Sequence, residues 1–213
     1  MSNENKIEVD GILFDVDGTI WDSTGIVTEA WNKALIDTGH SDIQVTADRL
    51  KGLFGLPMID IIRDILPDED SDEHERFKPV CYEYEEEFIR QKAGVVYESI
   101  AEVIAKLSEK YKVIIVSNCQ SGYIELVIDH LKLHDYITDH VCPGDSGLLK
   151  AENIQLMCKK HNIKKPVYVG DTIMDAQACK KAEVPFVFAN YGFGVVDEYL
   201  AKIDKPSELL ELF

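Results

Sequence analysis

The stretch Ile12-Leu13-Phe14-Asp15-Val16-Asp17-Gly18-Thr19 decides the fold of this chain. Its apolar, β-branched and aromatic run reads as a strand buried on both faces. The run ends in two carboxylates one residue apart, followed at once by glycine. Open α/β sheets hold their ligands at the carboxyl edge, where such a strand delivers its acids. Residues one apart on an extended chain point to opposite sides. Both acids can therefore serve one site only if the chain bends after the first, and Gly18 permits that bend. Asp-Gly is also a common turn dipeptide, so these residues alone leave a solvated turn open. The rest of the chain decides.

Working outward, helical spacing of Ala30, Trp31, Ala34 and Leu35 predicts a helix from about Ile26 to Thr38, with Gly39 as its C-cap. No strand is expected from there to about Ala93. Short helices are expected over Ala47–Phe54 and Pro57–Leu66, the second with proline in its first turn. A longer one is expected from about Asp72 to Gln91, kinked or broken at Pro79. From Gly94 the pattern alternates. Helices read at Ile100–Lys110, Tyr123–Leu133, Ala151–His161 and Ile173–Ala182. Strands read at Lys112–Val116, Ile137–Val141, Pro166–Val169 and Pro185–Ala189, and a last helix at Pro206–Leu212. Such alternation implies a parallel sheet with crossover helices. The expected fold class is α/β: a Rossmann-like five-stranded core from residues 1–21 and 94–213, with an all-helical insert, residues 22–93, after strand one.

At 213 residues the chain suits one good core plus a modest inserted module. With 46% hydrophobic and 29% charged residues it reads as an ordinary soluble globular protein. A net charge of −17 argues against nucleic acid and anionic membrane as partners. It also means that an anionic substrate needs a local cation or a metal. Met1 to Lys6 is polar with no apolar segment behind it, and no run reaches membrane-spanning length. Cys81, Cys119, Cys142, Cys158 and Cys179 lack Cys-x-x-Cys spacing and read as reduced thiols of a cytoplasmic protein. The six histidines are read as structural or surface residues.

Four ends then converge. Strand one ends in Asp15 and Asp17, and the strand at Lys112–Val116 in Ser117-Asn118. The strand at Pro166–Val169 ends in Gly170-Asp171, with Asp175 a turn further on. Lys150 precedes a helix. In a parallel sheet these share one crevice. Clustered carboxylates repel unless a cation compensates, and such oxygen ligands suit Mg²⁺. With Mg²⁺ and a lysine ammonium offsetting the acids, a phosphate dianion can enter, its oxygens bound by Ser117 and backbone N–H groups. One aspartate can attack phosphorus. Its neighbour can protonate the leaving oxygen and then activate water.

In these motifs and their order the sequence resembles the phosphatase branch of the haloacid dehalogenase superfamily. Asp15-Val16-Asp17-Gly18-Thr19 is similar to its first motif and Ser117-Asn118 to its second. Lys150 is similar to its third, and Gly170-Asp171 with Asp175 to its fourth. The resemblance spans nearly the whole chain and implies roles. Asp15 is the nucleophile and a metal ligand. Asp17 is the acid/base and offers Mg²⁺ its backbone carbonyl. Ser117 and the Asn118 amide hold phosphate, and Lys150 bridges phosphate and nucleophile. Asp171 ligates Mg²⁺ and Asp175 supports that ligation. One departure stands out: Ala151-Glu152-Asn153 follows Lys150 where relatives commonly have Lys-Pro-x-Pro.

The insert resembles the small α-helical cap of phosphoglycolate phosphatase-like members and is expected to cover the strand ends. Arg49, Lys51 and Arg63 are its basic candidates against a reading as solvated faces, and Gly52–Pro57 is a candidate loop over the site. Trp21 is read as lining the entrance and Trp31 as core. The expected function is Mg²⁺-dependent hydrolysis of a small phosphorylated metabolite, phosphoglycolate-like, through an aspartyl-phosphate, by a monomer or small homo-oligomer. The alternatives are a phosphosugar mutase, faintly suggested by Leu50-Lys51-Gly52, and a non-catalytic binding module. A dehalogenase is disfavoured by the acid at Asp17.

Overall fold

The protein is described here by a computed structural model covering residues 6–213. The polar opening and the first residues of the 1–21 segment lie outside the described residues, Lys6 excepted. β1 (Gly11–Phe14) is followed by the two-residue β2 (Trp21–Asp22). Four helices come next: α1 (Thr24–Asp37), α2 (Ala47–Lys51), α3 (Met58–Ile65) and α4 (Ser71–Gln91). β3 (Val95–Val96) then pairs antiparallel with β2, so a small ribbon lies at both ends of the helical stretch. Beyond it run α5 (Ile100–Ser108), β4 (Lys112–Val116), α6 (Tyr123–Leu131), β5 (Asp139–Val141) and α7 (Pro143–Ser146). α8 (Lys150–Lys160), β6 (Pro166–Gly170), α9 (Ile173–Ala182), β7 (Phe186–Ala189) and β8 (Ala201–Ile203) follow. A 3₁₀ turn (Pro206–Glu208) leads into α10 (Leu209–Leu212).

The strand order is β5-β4-β1-β6-β7-β8, and every pairing in this sheet is parallel. The chain starts in the middle, builds outward through β4 and β5, then reverses to the other side of β1. A crevice opens at such a reversal, outside the carboxyl ends of the strands. Register fixes its floor. Phe14 lies level with Ile115 on one side and Val169 on the other, so Asp15, Val116 and Gly170 arrive together.

Alternate residues of β1 feed two cores, as period-two geometry requires. Ile12 and Phe14 pack with Ile104, Val127 and Leu209 on one face; Leu13 packs with Ile114, Ile154 and Tyr168 on the other. All four residues of β1 are buried. Each large side chain so buried is worth about 1.5–3 kcal/mol, which makes the central strand a rigid base for the acids behind it.

The structure differs from the sequence reading in three places. A sixth strand, β8, joins the five expected; with only three residues it carries no periodic signal. The β2–β3 ribbon is equally short. α4 runs unbroken through Pro79. Pro79 and Glu75, whose carbonyl loses its partner, are both exposed, so water can take up the orphaned group and the helix tolerates the proline. Among the described residues no helix is long and apolar enough to cross a membrane.

Candidate active site

Asp15 follows β1 directly, and its backbone N–H donates to the Val169 carbonyl at 2.9 Å, extending the pairing with β6 by one residue. Lys150, the first residue of α8, reaches it from the side. The Lys150 Nζ donates to Asp15 Oδ1 at 3.0 Å and to Asp175 Oδ1 at 2.6 Å, and all three side chains are buried. The other Asp175 oxygen is held in the first turn of α9. It accepts from the Thr172 N–H at 2.9 Å and the Thr172 hydroxyl at 2.7 Å, while Thr172 in turn caps the Asp175 N–H. This reciprocal capping fixes Asp175 with one oxygen turned to the lysine.

Asp171 is fully buried. One oxygen accepts from the Phe193 N–H at 2.7 Å and the other from the Thr19 hydroxyl at 3.3 Å. Gly18 makes this packing possible. Its φ is +82°, and a Cβ built there would lie 2.0 Å from Asp171 Oδ2. Glycine therefore supplies both the left-handed bend and the room for the acid. Asp15, Asp171 and Asp175 each bring a carboxylate oxygen within 4.8 Å of the others.

Asp17 stands apart from this cluster and has no cationic partner among its hydrogen bonds. Its Oδ1 accepts from Ser23 Oγ at 2.5 Å, Tyr123 OH at 2.7 Å and Trp21 Nε1 at 3.2 Å. Three neutral donors on one oxygen leave Oδ2 free. Trp21, read from sequence as an entrance residue, is instead fully buried behind Asp17; its indole has an apolar body to bury and an N–H to place.

Electrostatics follow from burial. Desolvation pushes Asp15 up to about 7, with the Lys150 charge opposing. It pushes Asp17 up to about 6 against the hydrogen bonds from Ser23, Tyr123 and Trp21. Asp171 is raised well above the carboxylate range, by burial first and then by the neighbouring charges of Asp175 and Asp15. Burial alone would lower Lys150, but the two carboxylates overcome it and hold the ammonium above its ordinary value. The cluster thus has more acid than one lysine can neutralise, a donor set that fits a hard divalent cation.

A cavity opens in front of Asp15, Asp17, Lys150 and the residues just after β4, Ser117 and Asn118. Ser117 is buried, and the Asn118 side-chain amide donates to the Gly55 carbonyl at 2.9 Å, tying the Gly52–Pro57 loop to the end of β4. Asp171 and Asp175 do not line the cavity. Sequence reasoning missed the opposite wall. Glu85 of α4 is buried, with Trp31 Nε1 donating to its Oε1 and Gln120 Nε2 donating to its Oε2 at 2.9 Å. Burial lifts it to about 7. A signal existed: Phe77, Cys81, Glu85 and Ile89 form the buried stripe of α4 at intervals of four, so an acid stands in an apolar register. Arg49, Lys51 and Arg63 do not line the cavity. They pair at partly exposed positions with Asp64 at 2.9 Å, Asp22 at 3.2 Å and Asp60 at 3.0 Å.

A family model described as haloacid dehalogenase-like hydrolase matches residues 12–189. The chain is 26% identical over 209 residues to the phosphoglycolate phosphatase of Aquifex aeolicus, covering 94% of this chain and 95% of that protein. It is 24% identical over 188 residues to the phosphoglycolate phosphatase of Rhodobacter capsulatus, covering 85% and 84%. In fold it is similar to a haloacid dehalogenase-like family hydrolase of Streptococcus pneumoniae, with a TM-score of 0.83 at 19% identity over 95% of this chain and 97% of the other.

Proposed function

The chain belongs to the haloacid dehalogenase-like hydrolases, and from that premise we propose that it is a Mg²⁺-dependent phosphomonoesterase acting on a small metabolite through an aspartyl-phosphate. The supporting observation is the cluster of Asp15, Asp171 and Asp175 around a single lysine. Asp15 and Asp171, with the backbone carbonyl of Asp17, would hold the ion, and Asp175 would keep Lys150 in place. The bound cation would supply charge compensation for the phosphate oxygens.

The chain's own residues supply the rest. Asp15 attacks phosphorus and Lys150 stabilises the transferred oxygens. Ser117 and the Asn118 region bind them. Asp17, whose raised pKa of about 6 suits proton transfer near neutrality, protonates the leaving oxygen. It then takes a proton from the water that cleaves the acyl phosphate. The helical stretch 22–93 acts as a cap, placing Phe54, Gly55 and Leu56 over the strand ends.

A phosphosugar mutase needs cap cations for a second phosphate. Among the described residues lining the cavity, Lys150 is the one cation, which favours hydrolysis. The test is phosphate release from p-nitrophenyl phosphate. Release that needs Mg²⁺ and is abolished in Asp15→Asn is expected; absence of metal-dependent release from the wild type would overturn the reading and leave a binding module.

A further inference from the structure

The two phosphoglycolate phosphatases named above act, by their names, on an ester whose alcohol half carries a carboxylate. The wall that faces the leaving group here is built for the opposite charge. Glu85 is 4% exposed and lines the cavity. Both its oxygens accept from neutral N–H groups, the Trp31 indole and the Gln120 amide. Two N–H donors hold the side chain as an acceptor and stabilise its ionised form. Each oxygen keeps a second lone pair for a ligand donor.

The remaining charges sharpen the point. Asp17 contributes a second carboxylate from the sheet side, and Lys150 is engaged by Asp15 and Asp175 at the phosphate end. The rest of the lining is uncharged: Val27, Trp31, Leu56, Met58 and Ile61 are apolar, and Ser117, Asn118, Gln120 and Tyr123 are neutral polar groups. Lys78 borders the adjoining cleft with Tyr82 and does not line this cavity. The cavity is also small, about 50 Å³, on a measure in which one water needs roughly 10–15 Å³. Only a few heavy atoms fit between Asp17 and the α4 wall.

We propose that Glu85 is a specificity-determining residue. The esters this site takes carry a hydrogen-bond donor, a hydroxyl or an ammonium, where phosphoglycolate carries its carboxylate. This rests on the phosphomonoesterase reading and refines it. A buried acceptor with no cation beside it rewards a donor and rejects an anion. Sites built around such a polar contact discriminate more strongly than apolar pockets do.

The test is a two-carbon series assayed at about pH 8, above the value of about 7 to which burial lifts Glu85: O-phosphoethanolamine, ethylene glycol monophosphate, 2-phosphoglycolate and ethyl phosphate. In the wild type, kcat/KM for the ammonium or hydroxyl ester should exceed that for phosphoglycolate by on the order of 10²-fold. The first two arms tell which donor is read. Glu85→Gln should narrow that ratio by about tenfold or more. Wild-type preference for phosphoglycolate would overturn the assignment without any variant. So would an equal change in all four rates in Glu85→Gln, since a merely structural acid would scale them together. Phosphate release itself separates the two readings. If any of the four esters, or p-nitrophenyl phosphate, is hydrolysed while the ranking fails, only the Glu85 assignment falls; if none is hydrolysed, both do.

Discussion

At the carboxyl ends of β1 and β6, three buried carboxylates cluster, two of them, Asp15 and Asp175, on one lysine. Across the cavity on α4, a single buried carboxylate is held by two neutral N–H groups. Both walls bury acid, and burial raises Asp15 and Asp171 on one and Glu85 on the other, but they hold it differently. The sheet wall binds its acids to a fixed ammonium and to backbone and side-chain donors, so their positions are set before any ligand arrives. The α4 wall leaves its acid without a countercharge, so a ligand can supply what is missing. On the proposed reading, one wall serves chemistry common to many esters and the other chooses among them.

Removing the cation from the sheet wall is the harshest way to break that contrast. Lys150→Met leaves two buried carboxylates unpaired, and breaking such a contact costs about 3–5 kcal/mol. Urea denaturation should show this loss, with Mg²⁺ restoring part of it; an unchanged midpoint would mean that the acids are already protonated and need no partner. Asp17→Asn keeps the shape of the site and removes its proton carrier. Turnover should fall by about 10²–10⁴-fold while the melting temperature stays near that of the wild type, and near-full activity would remove Asp17 from the mechanism.

The α4 wall makes a prediction in pH. The folded-state pKa of Glu85, about 7, lies above its ordinary value of 4.5 because of burial. The folded protein therefore retains a proton that the unfolded chain releases. Stability from this group is fully present below about pH 4.5 and is lost as pH rises through 7. At 1.36 kcal/mol per unit the loss is up to about 3 kcal/mol. Glu85→Gln should flatten the stability curve across that window, and parallel curves for the two proteins would show that Glu85 does not titrate there. The smallest effect belongs to neither wall. Arg63→Ala removes an exposed pair with Asp60 and should change stability by less than about 0.5 kcal/mol, with substrate ranking untouched.

The strand ends were legible because parallel pairing puts every carboxyl end on one edge, whatever the distance in sequence. Asp15, Ser117, Lys150 and Asp171 could therefore be placed together from alternation alone. The Gly18 bend was legible too, since two acids one residue apart needed it. What escaped was short or two-sided. β8 has three residues, too few for a period. Trp21 reads from sequence as lining the entrance, but its N–H has Asp17 to meet. Glu85 sits in the acidic run Glu83–Glu87, where its neighbours are ordinary surface charges; only its registry with Phe77, Cys81 and Ile89 separates it from them. The roles of Tyr123 and Gln120 depend on how α6 and the loop before it meet the helices of 22–93, which no local pattern records.

The ties that complete the sheet wall are long. Lys150 stands 135 residues beyond Asp15, and the Asp171 that meets the Thr19 hydroxyl stands 152 beyond it. Phe193, still later, donates to Asp171. On a ribosome Asp15 and Asp17 emerge long before the residues that fasten their surroundings, so the site is completed only once Phe193 has been made. A translation arrest just before Phe193 leaves Asp171 without that backbone donor and the acidic centre not yet fastened.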